Sequence, residues 1–270
     1  MTGVHATGTD VHLVVADGVA TVTLARARTR NAIDTPFSTE ICARVQEAAG
    51  RADVGVILVQ ADGPAWCVGG AIDNFLEVGD RMHAYMLELG QSINALVTTL
   101  HECDKITIAA VHGAVGGGGV GIMAAHDVVL AEEGTVFALG YSRIGTSPDG
   151  GNSYFLARDL GYRRALELYL LNDRIDADRA SQLGLVNRVT PRGGLDVAAE
   201  KLASTLAAGP WRAQAAAKRL LRRAGDALLA RQLEDEVRMF ADNTLEQDFA
   251  EGLSAFLDKR APRFRTDKGG

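Results

Sequence analysis

Seventeen residues, Lys105 to Gly121 (KITIAAVHGAVGGGGVG), constrain this chain more than any other stretch. Ile106 to Val111 is an apolar, β-branched run of strand length, and it leads into a turn dominated by glycine. Four consecutive glycines, Gly116 to Gly119, are a poor choice for stability alone. Each costs about 0.5–1 kcal/mol in a helix relative to alanine. A helix that starts among them therefore offers bare backbone N–H groups, and the natural guest is an anion or an oxygen becoming one. The structural alternative is a tight strand-to-helix turn with close packing. Gly116, Gly118 and Gly121 also match G-x-G-x-x-G. A dinucleotide site needs an acidic residue about 20 positions further on for the ribose. That region is the apolar run Val136 to Leu139, so nicotinamide binding is not expected.

The rest of the composition narrows the classes. A chain of 270 residues with 47% hydrophobic content can build a full core without staples. Its net charge of −6, with lysine and arginine dispersed, gives no field for nucleic acid. Cys42, Cys67 and Cys103 have neither disulfide-framework nor metal-ligand spacing, and the six histidines form no helical metal pair. No metal is expected. MTGVHATGTD shows no basic segment followed by an apolar run, and no window reaches about eighteen unbroken apolar residues. The expectation is a cytoplasmic protein with no membrane partner.

VHLVVA and VATVTL flank Asp17-Gly18, which is the sequence of a two-residue hairpin. A helix is predicted from Asp34-Thr35-Pro36, with Asp34 as cap, to about Ala49. VGVILVQ (54–60) reads as a strand buried on both faces, and WCVGGAIDNF follows it as a second glycine-bearing loop. Ile93, Leu96, Val97 and Leu100 mark a helix over 81–100. DVVLAEE and TVFAL are short strands, SRIGTSPDGGNS is turn-rich, and a helix runs through Arg163 to Leu171. Asp176 caps a short helix that Gly184 ends, and LVNRVT is the last strand. From about Leu195 the chain is helical, with breaks at Gly209-Pro210 and Gly225. The predicted class is α/β, with a core over residues 1–195 and a helical region over 196–270.

Two separated glycine loops, VGGAID and GAVGGGGVG, can each present one backbone N–H to a single oxygen. Such an oxyanion hole suits a thioester whose carbonyl gains charge as an enolate forms. The order of segments resembles the crotonase superfamily, also called the enoyl-CoA hydratase/isomerase family, from about Val11 to Phe264. The matching pieces are VATVTLARARTRNAI, WCVGGAIDNF, KITIAAVHGAVGGGGVG with HDVVLA, IGTSPDGG, DRIDADRASQLGLVNRV and FLDKRAPRF. The resemblance implies a spiral of strand–strand–helix turns and a C-terminal helical trimerisation region, with trimers often paired as hexamers. It also implies a coenzyme A thioester as substrate and no separate cofactor. The oxyanion donors would be the N–H groups of Gly70 and Gly118. Arg26 and Arg28 would meet the nucleotide, Gly69, Ala71 and Ile72 would line the adenine, and Phe256 and Lys259 would reach a neighbouring subunit's nucleotide.

The departures from the family pattern carry more information than the matches. Hydratases of the family use two glutamates, and the matching positions are Gly121 and Tyr141. Neither can hold and deprotonate water, since one lacks a side chain and a tyrosine pKa is near 10. The remaining carboxylate is Asp149 in SPDGG, eight residues after Tyr141; from the residues alone, Pro-Asp-Gly-Gly is equally a plain turn. Ring-opened phenylacetyl-CoA isomerases and related Δ3,Δ2-enoyl-CoA isomerases carry an aspartate here. One carboxylate suffices for moving a double bond. The expectation is therefore an isomerase acting through Asp149, with a hydratase relying on Asp149 and a non-catalytic acyl-CoA binder as alternatives. Haloaromatic-CoA dehalogenases also place an aspartate here but need a histidine base where this chain has Asn94.

Overall fold

A computed structural model describes residues 10–223, 229–245 and 247–262. The break expected at Gly225, and Phe264 in the tail motif, lie outside the described residues.

The chain opens with the hairpin β1 (Val11–Ala16) and β2 (Val19–Leu24), paired antiparallel from Val11 opposite Leu24 to Ala16 opposite Val19. Asp17 and Gly18 both take positive φ, 49° and 81°, which lets the two-residue turn follow the strand twist. Asp34 caps α1 (Thr35–Gly50) by accepting from the Phe37 N–H, and Pro36 sits in the first turn. After β3 (Val56–Ala61) come α2 (Ile72–Val78) and α3 (Met82–Glu102). The predicted central strand is β4 (Ile106–Val111), followed by β5 (Ala114–Gly116) and α4 (Gly118–Ala124) inside the glycine turn. Then come β6 (Val128–Glu132), β7 (Val136–Ala138) and a 3-10 turn at Tyr141–Ile144.

One helix was expected next, and there are two, α5 (Asn152–Asp159) and α6 (Tyr162–Leu171). Gly161 divides them at φ 82°. β8 (Ile175–Asp176), α7 (Ala177–Leu183) and β9 (Arg188–Thr190) follow, with Asp176 accepting from the Arg179 N–H and Gly184 ending α7. The chain finishes in α8 (Leu195–Ala207), α9 (Trp211–Arg223), α10 (Leu229–Asn243) and α11 (Gln247–Leu257).

The main sheet has the order β1-β2-β3-β4-β6-β9, parallel from β2 onward. Beside it lies a second layer. Ile33 bridges Gly70, Cys67 bridges Val115, β5 pairs in parallel with β7, and β8 closes that edge antiparallel to β7. Successive turns of the chain thus ladder on one another in both layers, which is the spiral of strand–strand–helix units. It also lays the 67–70 loop alongside the turn after β4.

Both faces of the main sheet are covered, as the unbroken apolar run of β3 predicts. Ile57, Val59, Ala109 and Val111 face Phe37, Val45, Leu96 and Leu100 of α1 and α3. Val56, Leu58, Ile108 and Leu130 face Leu195, Ala199 and Ala203 of α8. Residue 195 therefore marks a change of element type rather than a gap in the core. Lys218 of α9, almost fully buried, pairs with Asp127 at 2.7 Å and donates to the Lys105 carbonyl at 2.8 Å. The apolar stripe of α10 is buried within the subunit at Leu233, Val237 and Phe240, while the Leu229 side chain lies outside those described. Asn94 of α3 donates to the Leu233 carbonyl at 3.0 Å, and Val237 fits against Gly90.

Candidate active site

The two glycine loops touch through backbone alone. A Cβ on Gly116 would stand 2.8 Å from the Val68 carbonyl oxygen, and one on Gly69 would stand 2.9 Å from the Gly116 oxygen. Neither position tolerates a side chain, which accounts for the glycine density seen in the sequence. The Gly116 N–H donates to Cys67 and the Gly117 N–H to Ala138. Among the described residues, the N–H groups of Gly70 and Gly118 meet no backbone carbonyl. Those are the two expected oxyanion donors, one on each of the two adjoining loops.

Asp149 lies beside Gly118. Its Oδ1 is 3.5 Å from the position a Gly118 Cβ would take, and Ile93 Cδ1 of α3 is 3.9 Å from that same position. The residue is buried, with 8% of its surface exposed. Tyr141 donates its hydroxyl proton to Asp149 Oδ1 at 2.6 Å, and Asn152 Nδ2 donates to the Tyr141 oxygen at 2.9 Å and to the Asp149 carbonyl at 2.8 Å. Oδ2 accepts no hydrogen bond among the described residues. Burial pushes the Asp149 carboxyl above the ordinary carboxylate range, and the tyrosine hydrogen bond opposes that rise. Burial and the neighbouring carboxylate push Tyr141 well up, so it stays a neutral donor. The sequence placed Tyr141 at the site without this pairing, which gives it a role as holder of the carboxylate rather than as a base.

Position 121 has no room for a carboxylate of its own. A Cβ on it would drive into the Gly150 carbonyl oxygen, far inside contact distance, and would come within 2.9 Å of Asn152 Nδ2. The 149–151 loop fills the volume that a side chain at 121 needs.

A second buried acid was not anticipated. Glu236 of α10, 4% exposed, accepts from the Gly151 N–H at 2.8 Å, from the Ser153 N–H at 3.2 Å and from the Ser153 hydroxyl. Burial raises its pKa to about 7, the hydrogen bonds lower it and the Asp149 charge adds to the rise. The available sequence signal is its place: Leu233, Glu236, Val237 and Phe240 form one apolar helical stripe, where a carboxylate is out of pattern.

The expected nucleotide residues are not alike. Arg26 bonds Asp10 at 2.6 Å and Asp34 at 2.8 Å and lies over the Phe37 ring, so its charge is already balanced. Arg28 is exposed and makes no ion pair among the described residues. Gly69 and Ala71 bracket the bridge to Ile33, Ile72 packs on the core, and Phe256 and Lys259 are exposed at the end of α11. Asn94 is turned to α10. His101, the nearest histidine of α3 in sequence to that position, packs edge-on against Tyr154 and Phe155.

A family model described as enoyl-CoA hydratase/isomerase matches residues 15–267. The chain belongs to that family. A probable enoyl-CoA hydratase of Rhodobacter capsulatus is 31% identical over 250 residues, 93% of this chain and 95% of that one. A trans-2-decenoyl-(acyl-carrier-protein) isomerase of Streptococcus mutans is 26% identical over 251 residues, with 93% and 95% covered. Among solved structures, an enoyl-CoA hydratase from Mycobacterium avium subsp. paratuberculosis superposes with a TM-score of 0.86 at 31% identity, covering 95% of this chain and 99% of that one. In this enoyl-CoA hydratase/isomerase family member, the two glycine loops thus lie against one another and the SPDGG turn brings Asp149, buried, beside Gly118.

Proposed function

We propose that the protein moves the double bond of an enoyl-CoA thioester from the 3,4 to the 2,3 position, with Asp149 as the single acid–base group. The observation that carries this reading is the carboxyl of Asp149, buried beside Gly118 while the Gly150 carbonyl fills the space a second carboxylate at 121 requires. The thioester oxygen sits between the N–H groups of Gly70 and Gly118. Oδ2 of Asp149 takes a proton from C2, and the electrons pass into a dienolate whose negative oxygen the two N–H groups hold. The same acid then returns the proton to C4, leaving the conjugated thioester. Tyr141 keeps Oδ1 occupied, so the proton travels on Oδ2.

The second reading is hydration of a 2-enoyl thioester with Asp149 alone, favoured by the name of the Rhodobacter relative. Incubation with 3-hexenoyl-CoA and with 2-hexenoyl-CoA separates them. An isomerase raises conjugated-thioester absorbance from the first substrate, and a hydratase removes it from the second. Binding of the thioesters without turnover of either leaves a binding protein, and equal affinity for free hexenoic acid removes coenzyme A from the reading.

The coenzyme A moiety is proposed to lie along Gly69, Ala71 and Ile72 with Arg28 at its phosphates. Arg26, held by two carboxylates, shapes the loop instead. Phe256, 52% exposed, and Lys259 are proposed to meet the nucleotide of a neighbouring subunit in a trimer or dimer of trimers. Light scattering at micromolar concentration is expected to give three or six chain masses. Lys259→Ala should raise KM for the thioester more at low than at high salt, with kcat unchanged. A stable monomer, or a KM indifferent to the substitution, contradicts this assembly of the site.

A further inference from the structure

We propose that Glu236 is a positioning residue for the acid–base step: from helix α10 it holds Gly151 and Ser153, in the segment that follows Asp149, and through its charge it tunes that carboxylate. The inference rests on the isomerase reading, to which it adds a regulator of the same site.

The geometry is specific. The segment that follows Asp149 is gripped from two sides. Asn152 ties it inward, to the Asp149 carbonyl and the Tyr141 hydroxyl. Glu236 ties it outward, with one oxygen on the Gly151 N–H and the other on the N–H and hydroxyl of Ser153. Those N–H groups belong to the start of α5, which has no side-chain cap of its own, so a carboxylate from 83 residues away along the chain acts as the cap. Phe240, one helical turn on, packs edge-on against the Tyr141 ring. Gly252 of α11 brings its backbone against Ile144, where a Cβ would stand 2.5 Å from the backbone carbon. The two last helices therefore hold both halves of the Tyr141–Asp149 pair.

No lysine or arginine neutralises Glu236 among the described residues. The ionisable groups whose charge reaches it are Asp149 and Tyr141. From α3, the neighbour at this level is the uncharged Asn94, whereas His83 pairs with Asp242 and His101 packs on Tyr154 and Phe155. From α5, Arg158 lies over the Tyr154 and Phe155 rings. With its pKa raised to about 7, in part by the Asp149 charge, Glu236 ionises near neutrality. Two effects then add. An ionised acceptor binds its three donors about twice as strongly as a neutral one, which pins the loop. A second negative charge nearby also makes Asp149 the stronger base. The wild-type rate should consequently climb in two steps, at the Asp149 titration and again near neutrality.

Glu236→Gln preserves size and removes the charge. On 3-hexenoyl-CoA, the ratio of wild-type to variant kcat is expected to grow about tenfold between pH 6 and pH 8, with KM within about twofold throughout. Glu236→Asp should restore part of the upper step. An activity-independent reading comes from protein labelled with 15N-glycine, in which the Gly151 amide shift reports the Glu236 titration. Its midpoint is expected near 7 in the wild type and lower in Asp149→Asn, because the like charge is gone. A flat kcat ratio across pH, or a midpoint that Asp149→Asn leaves in place, overturns the proposal. Loss of turnover in Asp149→Asn together with either result leaves the isomerase reading standing, whereas wild-type turnover by Asp149→Asn removes that reading first.

Discussion

Asp149→Asn is expected to lower kcat on a 3-enoyl thioester by at least about a hundredfold, the low end for general acid–base catalysis, while KM stays nearly unchanged. The asparagine keeps the shape of the carboxylate and can still accept from Tyr141 through its Oδ1, so packing and the Tyr141–Asn152 chain survive. In the proposed mechanism, what disappears is the oxygen that carries the proton between C2 and C4. In the wild type, burial raises the Asp149 pKa, so kcat should fall as acid protonates the carboxylate at a pH above the usual titration near 3.9. Tyr141→Phe tests the same centre from the other side. Losing a hydrogen bond that favours the charged form moves the acid limb to higher pH, and turnover should drop less than in Asp149→Asn. Wild-type turnover by Asp149→Asn on 3-hexenoyl-CoA would take the residue out of the mechanism.

Gly121→Ala is expected to cost about 3 kcal/mol of stability, the upper end for overpacking, because the added methyl meets a backbone oxygen that has no rotamer to escape into. In a chain of this size that corresponds to roughly 6–12 °C in Tm. Turnover should fall with it, since relief requires Gly150 to move and Gly150 carries its neighbour Asp149 along. Gly121→Glu, which places a glutamate where the resemblance puts one in hydratases, should be no better folded and should show no hydration of 2-hexenoyl-CoA. Thermal unfolding and the two substrate assays decide. An alanine variant with wild-type Tm and turnover would mean the 149–151 loop yields readily, and the hydratase reading would regain the space it lacks.

Much of the fold was legible because its signals are local. The Asp17-Gly18 turn, the Asp34 and Asp176 caps, the doubly buried β3 and the strand before the glycine turn each depend on residues within one element. The pieces missed were short ones. β5 and β8 span 3 and 2 residues and exist only because a neighbouring turn of the spiral offers a partner, while α2 and α5 were hidden in glycine-bearing stretches that read as loop.

The candidate site divides in the same way. Glycine density alone announced that backbone must meet backbone between residues 67 and 121, and the aspartate in SPDGG stood out once no glutamate occupied the expected places. Local sequence carries no record of which charges meet across the fold. Arg26 looks in sequence like a free cation for phosphate, yet Asp10 and Asp34 converge on it from 16 and 8 residues away. Glu236 looks like one more helix charge, yet α10 folds over α3 and α5 and brings it to Gly151, 85 residues back along the chain. The sequence by itself determined the opening hairpin, the α/β class and the two glycine loops, and through its family resemblance it pointed to the spiral and to Asp149. Only the tertiary structure decided how that acid is tuned, because burial and through-space charge depend on neighbours that chain folding brings together from distant positions.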